Sequence, residues 1–223
     1  MSVCVLGAGW ITPGGYGCMR RKLHYDFHAP DERYALSKHD IFSYPFKNFG
    51  RLDSLSRITV AAVALAFRDA EKPYSPDCKQ AIGIVGTSKD GSLVSDREYF
   101  KDYMQGGRTL SRANLFIYTL PSSPLGEAAI HFGLRGPLVY ATASTDTLPA
   151  LMTIGADMID AHQSNMMLVG RAEQDEALYF LLGGNSEQGS FSFLDMQSIV
   201  STMDDIPSIL QASSDLQEKK GVA

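Results

Sequence analysis

The run Ile58-Thr59-Val60-Ala61-Ala62-Val63-Ala64-Leu65-Ala66-Phe67 constrains the fold of this chain more than any other stretch. Read as a helix capped by Asp53 or Ser54 and running through Ala70, it is apolar on almost every face. A surface helix carries one apolar stripe, whereas a helix apolar all round is enclosed. The chain must therefore cover this element on more than one side. Its 223 residues, 44% hydrophobic and 20% charged, suffice for one large domain or two small ones.

Five apolar runs read as buried strands. Ser2–Leu6 enters the small-residue turn Gly7-Ala8-Gly9, and Ala81–Gly86 ends in Thr87 and Ser88. Leu138–Ala141 stops at Thr142–Asp146 and passes into a helix over Thr147–His162 that is apolar around most of its axis. Met166–Gly170 and Ala177–Leu182 follow, joined at Glu173–Glu176 by a turn so short that only antiparallel neighbours satisfy it. Between the second and third runs lie an amphipathic helix over Ser92–Gln105, an extended run Asn114–Pro121, and a helix from Ser122 or Ser123 to Phe132 closed by Gly133. Strands alternating with helices predict a parallel layered sheet with helices on its faces and one antiparallel edge. Past Gly183 the pattern gives a strand over Ser190–Leu194, a weak helix over Ile206–Leu216 and a frayed polar end.

Several function classes are disfavoured. A formal charge of −5 argues against nucleic acid or an anionic membrane as the partner, and Arg20-Arg21-Lys22 reads as a solvated surface. Cys4, Cys18 and Cys78 are odd in number and match no metal or redox spacing, with Cys4 placed in a buried strand. Neither a signal peptide nor a run approaching about 20 apolar residues is found, so no membrane span and a cytoplasmic location are expected. Gly7-x-Gly9 lacks the third glycine of a dinucleotide fingerprint, Thr12 and Pro13 standing in that region. His24 and His28 have no third ligand and read as surface histidines. No cofactor and no metal are expected.

The turn after the third strand is the candidate site. Ser144 stands at a helix N-terminus, where free N–H groups and the macrodipole favour negative charge. That environment brings a cysteine into its working range but leaves serine protonated unless a base adjoins it. His131 is the only histidine with an approach, and its place late in a helix favours a cation and a structural role. Asp146 fits a dipole contact or cap and is too weak a base to act alone. Ser144 as a helix cap is the favoured reading over a covalent role.

In order and spacing, these stretches resemble the N-terminal half of the β-ketoacyl synthases, of the thiolase-like superfamily, from about residue 2 to residue 182. Gly7–Gly15 is similar to the family's opening glycine-Thr-Pro-Gly turn, and Gly83-Ile84-Val85-Gly86-Thr87-Ser88 to its second strand. Tyr118-Thr119-Leu120-Pro121 with Gly126–Pro137 is the most specific block, and Met167–Glu173 looks like the strand after the nucleophile helix. The resemblance implies an α/β, thiolase-like half: a layered βαβαβαββ unit with a mostly parallel five-stranded sheet in residues 1–185. Residues 186–223 are expected to be a C-terminal extension, partly disordered.

Where the family reads Thr-Ala-Cys-Ser-Ser this chain has Thr142-Ala143-Ser144-Thr145-Asp146, so Ser144 falls at the position of the nucleophilic cysteine. The family's two downstream histidines, in His-Gly-Thr-Gly-Thr and Gly-His motifs, have no counterpart. The expectation is a non-catalytic, chain-length-factor-like protein of fatty-acid or polyketide-type biosynthesis. It would act by association as a homodimer, as a heterodimer with a full-length ketosynthase, or with an acyl carrier protein. The alternative is a serine-dependent acyltransferase or thioester hydrolase using Ser144. The resemblance also places Leu138, Val139, Tyr140 and Ala141 at a two-fold strand-pairing interface, and Thr119, Leu120 and Pro121 near the acyl or pantetheine group. In the family the helix after the nucleophile lies between two sheets. In this chain its second face is left for a partner, or for a lid folded back from the segment around Ile206, Ile209 and Leu210.

Overall fold

The computed structural model describes residues 3–29, 31–32, 35–36, 41–108, 112–142, 147–184 and 191–221. The enclosed helix is α1, Ser54–Asp69, and every residue from Ile58 to Phe67 in it is buried. The Asp53 side chain caps it, accepting the Ser56 N–H at 2.9 Å. One side of α1 lies on strand β1, Val3–Thr12. The glycines of that strand explain how close it comes. A Cβ on Gly7 would stand 2.5 Å from the Ala70 nitrogen, and one on Gly9 would stand 2.2 Å from the Ala62 carbonyl oxygen. Gly7-x-Gly9 thus serves backbone-to-backbone packing.

At the end of α1, Asp69 is fully buried and binds three backbone N–H groups. Oδ2 accepts from Ala8 at 2.7 Å and Arg20 at 2.8 Å, and Oδ1 accepts from Arg21 at 2.9 Å. The basic run 20–22 is therefore anchored rather than simply solvated. Arg20 also donates to the Leu6 carbonyl at 3.3 Å and pairs with Glu71 at 3.7 Å.

The described residues form an eight-stranded sheet. After β1 come β2 (Gly15–Cys18), β3 (Leu23–Asp26), β4 (Ile82–Thr87), β5 (Leu138–Tyr140), β6 (Met166–Ala172), β7 (Ala177–Gly184) and β8 (Phe191–Ser192). The order across the sheet is β3-β2-β1-β7-β6-β4-β5, with β8 paired to β1. β4 pairs in parallel with β5 and β6, and β7 is antiparallel to both β6 and β1. Four of the five expected strands (β1, β4, β5 and β6) consequently run one way, as the resemblance implies. The antiparallel strand, however, is not an edge. β7 lies between β6 and β1 and is buried on both faces, with Ala177, Tyr179 and Leu181 toward α1 and Leu178, Phe180 and Leu182 toward the opposite layer. A tight turn fixes that β7 neighbours β6 but leaves the far side of β7 open to a second partner, and β1 takes it.

Helices cover both faces. On one lie α1 and α4, Ser123–Phe132, which ends at Gly133 in the left-handed region at φ 68°. On the other lies α5, Thr147–Asp160, which buries Leu148, Leu151, Met152, Gly155 and Ile159. Its outer face presents Ala150, Thr153 and Asp157 to solvent, so it is one-sided rather than enclosed. Its flank is covered by the chain itself. The segment expected to be a C-terminal extension forms α6, Phe193–Thr202, and α7, Ile206–Gly221. Met196, Val200, Ile206 and Ile209 from these helices are each at most 4% exposed and share one core with α5. Burial of each is worth about 2 kcal/mol before entropy is charged. Gln197 also donates to the Thr153 hydroxyl at 2.9 Å.

Two further local expectations are corrected. Asn114–Pro121 is not extended: α2 (Leu93–Gln105) is followed by the short helix α3 (Ala113–Phe116) and a 3-10 turn at Ile117–Thr119. The Asp102 carboxylate accepts the Arg112 backbone N–H at 2.9 Å and starts that turn. Of the strand expected over Ser190–Leu194, Ser190 lies outside the described residues, Phe191 and Ser192 form β8, and Phe193 and Leu194 belong to α6.

Candidate functional site

Parallel strands deliver their C-terminal ends to one rim of a sheet, and ligands of open α/β sheets bind there. In this chain β4, β5 and β6 end at that rim and α5 begins there. Between them lies a cleft of about 470 Å³. It is lined by Thr87 at the end of β4 and Ser88 just after it, by Arg171 in β6 and Glu173 just after that strand, and by Val200, Met203 and Asp204. Thr142 and Thr147 line it as well. Ser144, with Ala143, Thr145 and Asp146, lies outside the described residues. Both flanks of that segment are cleft residues.

Glu173 is the organising carboxylate. Its Oε1 accepts the Lys89 N–H at 2.9 Å and its Oε2 accepts the Ser88 hydroxyl at 3.4 Å. Burial raises its carboxyl above the ordinary range, while those two bonds and the Arg171 charge oppose the rise. Ser88 is also held from the other side, its carbonyl accepting the Tyr140 hydroxyl at 3.0 Å. Burial pushes the Tyr140 hydroxyl upward too. Arg171 pairs with Glu176 at 3.7 Å and donates to the Asp204 carbonyl. The arrangement can hold a proton on a carboxylate and bind a polar group. Sequence reasoning did not single out Ser88, Arg171 or Glu173, although each directly follows or ends an apolar strand run.

The other expected site residues fall around this cleft or away from it. Tyr140 turns its hydroxyl toward Ser88, whereas Leu138 is 41% exposed at the edge of β5. Among the described residues β5 has one strand neighbour, β4. Val139 and Ala141 are half-buried against the α5-side core. Pro121 and the Tyr140 hydroxyl come together beside Gly91, each within 4 Å of where its Cβ would be. Thr119 donates to the Phe116 carbonyl at 2.8 Å and Leu120 is 55% exposed; neither lines the cleft.

His131 is not a base for this site. It lies on α4, 7% exposed, stacked on Phe46 at 3.9 Å and against Tyr44 at 4.4 Å. The Tyr44 hydroxyl donates to its carbonyl. Burial pushes its imidazole down to about 4, so the ring is neutral at pH 7 despite standing at a helix C-terminus. It lines a different cleft, of about 630 Å³, with Arg51, Ile117, Glu127 and Ile130. His24 sits in β3 against Trp10 and bonds Asp26 at 2.8 Å. Among the described residues no group of three or more His, Cys, Asp or Glu is arranged to hold a metal ion, and no helix is long and apolar enough to cross a membrane.

No protein-family model matches the chain, and no curated protein matches it in sequence. Solved structures do match in fold. A β-ketoacyl synthase from Burkholderia phymatum superposes with a TM-score of 0.60 at 16% identity, covering 82% of this chain and 59% of that one. A ketosynthase in complex with its chain length factor from Xenorhabdus doucetiae gives 0.56 at 16% identity, covering 83% and 80%. A chain from the complex of a type II PKS acyl-carrier protein with its ketosynthase bound to the hexaketide gives 0.58 at 12% identity, covering 82% and 58%. The chain thus spans about three fifths of the length of two of these structures. At such identities the likeness defines the fold alone, and that fold is similar to the α/β fold of the ketosynthases.

Proposed function

We propose that the chain is a non-catalytic, chain-length-factor-like protein of fatty-acid or polyketide-type acyl-chain biosynthesis. It acts by association with a synthase, as a homodimer or heterodimer, or with an acyl carrier protein, and it works in the cytoplasm. The observation that carries this reading is the make-up of the cleft at the strand ends. The described residues lining it include two acidic residues, Glu173 and Asp204, an arginine and a lysine but no histidine. The buried histidine, His131, is neutral and enclosed by aromatic rings elsewhere. The described cleft lining therefore offers no imidazole to activate a serine at position 144. The structural neighbours support the partner classes, since one is a ketosynthase with its chain length factor and another an acyl-carrier protein with its ketosynthase. The edge formed by β5 and the residue after it, Leu138, Val139, Tyr140 and Ala141, is the proposed pairing surface, and Thr119, Leu120 and Pro121 are proposed to lie nearest an incoming acyl or pantetheine group.

The test is intact-mass measurement of the protein after incubation with acyl thioesters of a carrier protein, beside a size measurement with and without a candidate ketosynthase. No adduct and a larger species with the synthase are expected. An acyl adduct that disappears in Ser144→Ala overturns the reading. It would favour the second one, a serine-dependent acyltransferase or thioester hydrolase. What favours that alternative is Glu173, a cleft carboxylate whose raised basicity suits proton acceptance.

A further inference from the structure

The third wall of the strand-end cleft does not come from the sheet or from α5. Val200, in the last turns of α6, and Met203 and Asp204, in the link to α7, form it. Each end of this α6–α7 unit is fastened to the sheet it covers. At its start β8 pairs with β1 through Cys4–Ser192 and Val5–Phe191. At its far end Gln217 donates to the Arg20 carbonyl at 3.4 Å and Lys22 pairs with Glu218 at 3.4 Å. The middle is held at the cleft itself, where Arg171 reaches from β6 to the Asp204 carbonyl. Asp205 then starts α7, its Oδ1 accepting the Ser208 N–H at 2.8 Å. Beneath the link, Ile206 and Ile209 are fully buried.

We propose that α6 and α7 are an intramolecular lid on the strand-end cleft, with Met203 and Asp204 as its closing residues and Arg171 as its latch. The lid sets what enters. Met203 and Val200 present an apolar wall opposite the polar floor of Ser88 and Glu173, so the site accepts a slender group with one polar end. The Asp204 carbonyl is a single acceptor on the short link between two helices. Releasing it opens the cleft without dismantling the sheet, because β8 and the distal contacts remain. The inference does not depend on whether Ser144 forms an ester.

The experiment measures thiol labelling. Cys4 and Cys18 are buried and Cys78 is exposed, so Cys78 in the unaltered protein gives the rate of a free thiol. Thr87→Cys in a Cys78→Ser background places a reporter on the cleft floor. Its reaction with a maleimide is expected to be about tenfold or more slower than that of Cys78, and Arg171→Gln is expected to restore about fivefold or more of that rate, as local opening requires. Amide exchange in β7 should stay protected, showing that the sheet is intact. Where Arg171→Gln does not fold, Ile206→Ala, which removes contacts between α7 and the core it shares with α5, supplies the same comparison. A reporter that reacts as fast as Cys78 in the parent, or one whose rate neither variant changes, overturns the lid.

Discussion

Gly9 faces the carbonyl oxygen of Ala62 so closely that a Cβ would stand 2.2 Å from it. The neighbouring atoms are the Ala66 nitrogen at 2.4 Å and the Leu65 Cβ, so the obstruction is helix backbone that has no rotamer to change. The glycine is required by contact between α1 and β1. Gly9→Ala is expected to cost about 3 kcal/mol, at the upper end for overpacking, in urea unfolding. Gly14→Ala is the control: its nearest neighbour is the Thr12 hydroxyl at 4.0 Å, and a change within about 0.5 kcal/mol is expected.

Asp69 joins the same helix to β1 through the Ala8 N–H and to the turn after β2 through the Arg20 and Arg21 N–H groups. Asp69→Ala strands all three donors beneath the surface and should cost about 3–5 kcal/mol, the range for breaking a buried charged network. Asp69→Asn keeps one carbonyl acceptor and should fall between the parent and Asp69→Ala. Equilibrium unfolding of the two variants checks the order.

These two residues also mark what could be read from the sequence. The enclosure of α1, the apolar strands β1, β4, β6 and β7, and the stop of α4 at Gly133 follow from hydrophobic runs and turn chemistry, both local signals. The β2–β3 hairpin escaped because Gly15-Tyr16-Gly17-Cys18 and Leu23-His24-Tyr25-Asp26 lack a clean alternation. Their pairing is fixed by tertiary contacts such as Tyr16 stacked on Tyr25 at 5.1 Å. Phe116-Ile117-Tyr118 is β-prone by type, yet the helical turn wins once Asp102 binds Arg112. The position of β7 within the sheet depends on β1, more than 160 residues earlier, which no local pattern encodes. Ser88, Arg171 and Glu173 form a site only because parallel pairing brings two strand ends together.

Asp53 does two things at the start of α1. Oδ1 accepts the Ser56 N–H at 2.9 Å and Oδ2 accepts the Ser95 hydroxyl at 2.7 Å, tying α2 to the cap. Asp53→Ala should cost about 1–2 kcal/mol, the loss of an N-cap with its second partner. Ser95→Ala should cost less, since the cap bond survives it. A double-mutant cycle between Asp53 and Ser95 isolates their coupling.

His131 makes the α4 layer sensitive to acid. Its folded value of about 4 lies below its ordinary 6.5, so the unfolded chain binds the proton more readily between those limits. Stability that is fully present above pH 6.5 is therefore lost as pH falls toward 4, by about 3 kcal/mol over the window. His131→Phe keeps a ring stacked on Phe46 and cannot titrate. The parent should lose stability relative to this variant as pH falls from 7 to 4, measured by thermal unfolding of the two side by side.

Glu173 titrates with the opposite sign. Its folded value is raised above the ordinary 4.5, so the folded state binds the proton more tightly than the unfolded chain. The stability this confers is present below pH 4.5 and is lost as pH rises through the folded value. Glu173→Gln removes the buried charge and keeps an acceptor for the Lys89 N–H. It should melt above the parent at pH 7, and the two should converge at pH 4. Glu173→Ala loses the acceptor as well and should be less stable than Glu173→Gln at both values, by about 1 kcal/mol. The pair of variants also separates the two functional readings. If the cleft is an association site, Glu173→Gln leaves complex formation with a ketosynthase intact. If Ser144 acts as a nucleophile, the same variant lacks the buried cleft carboxylate proposed to take its proton, and adduct formation falls although the protein is more stable.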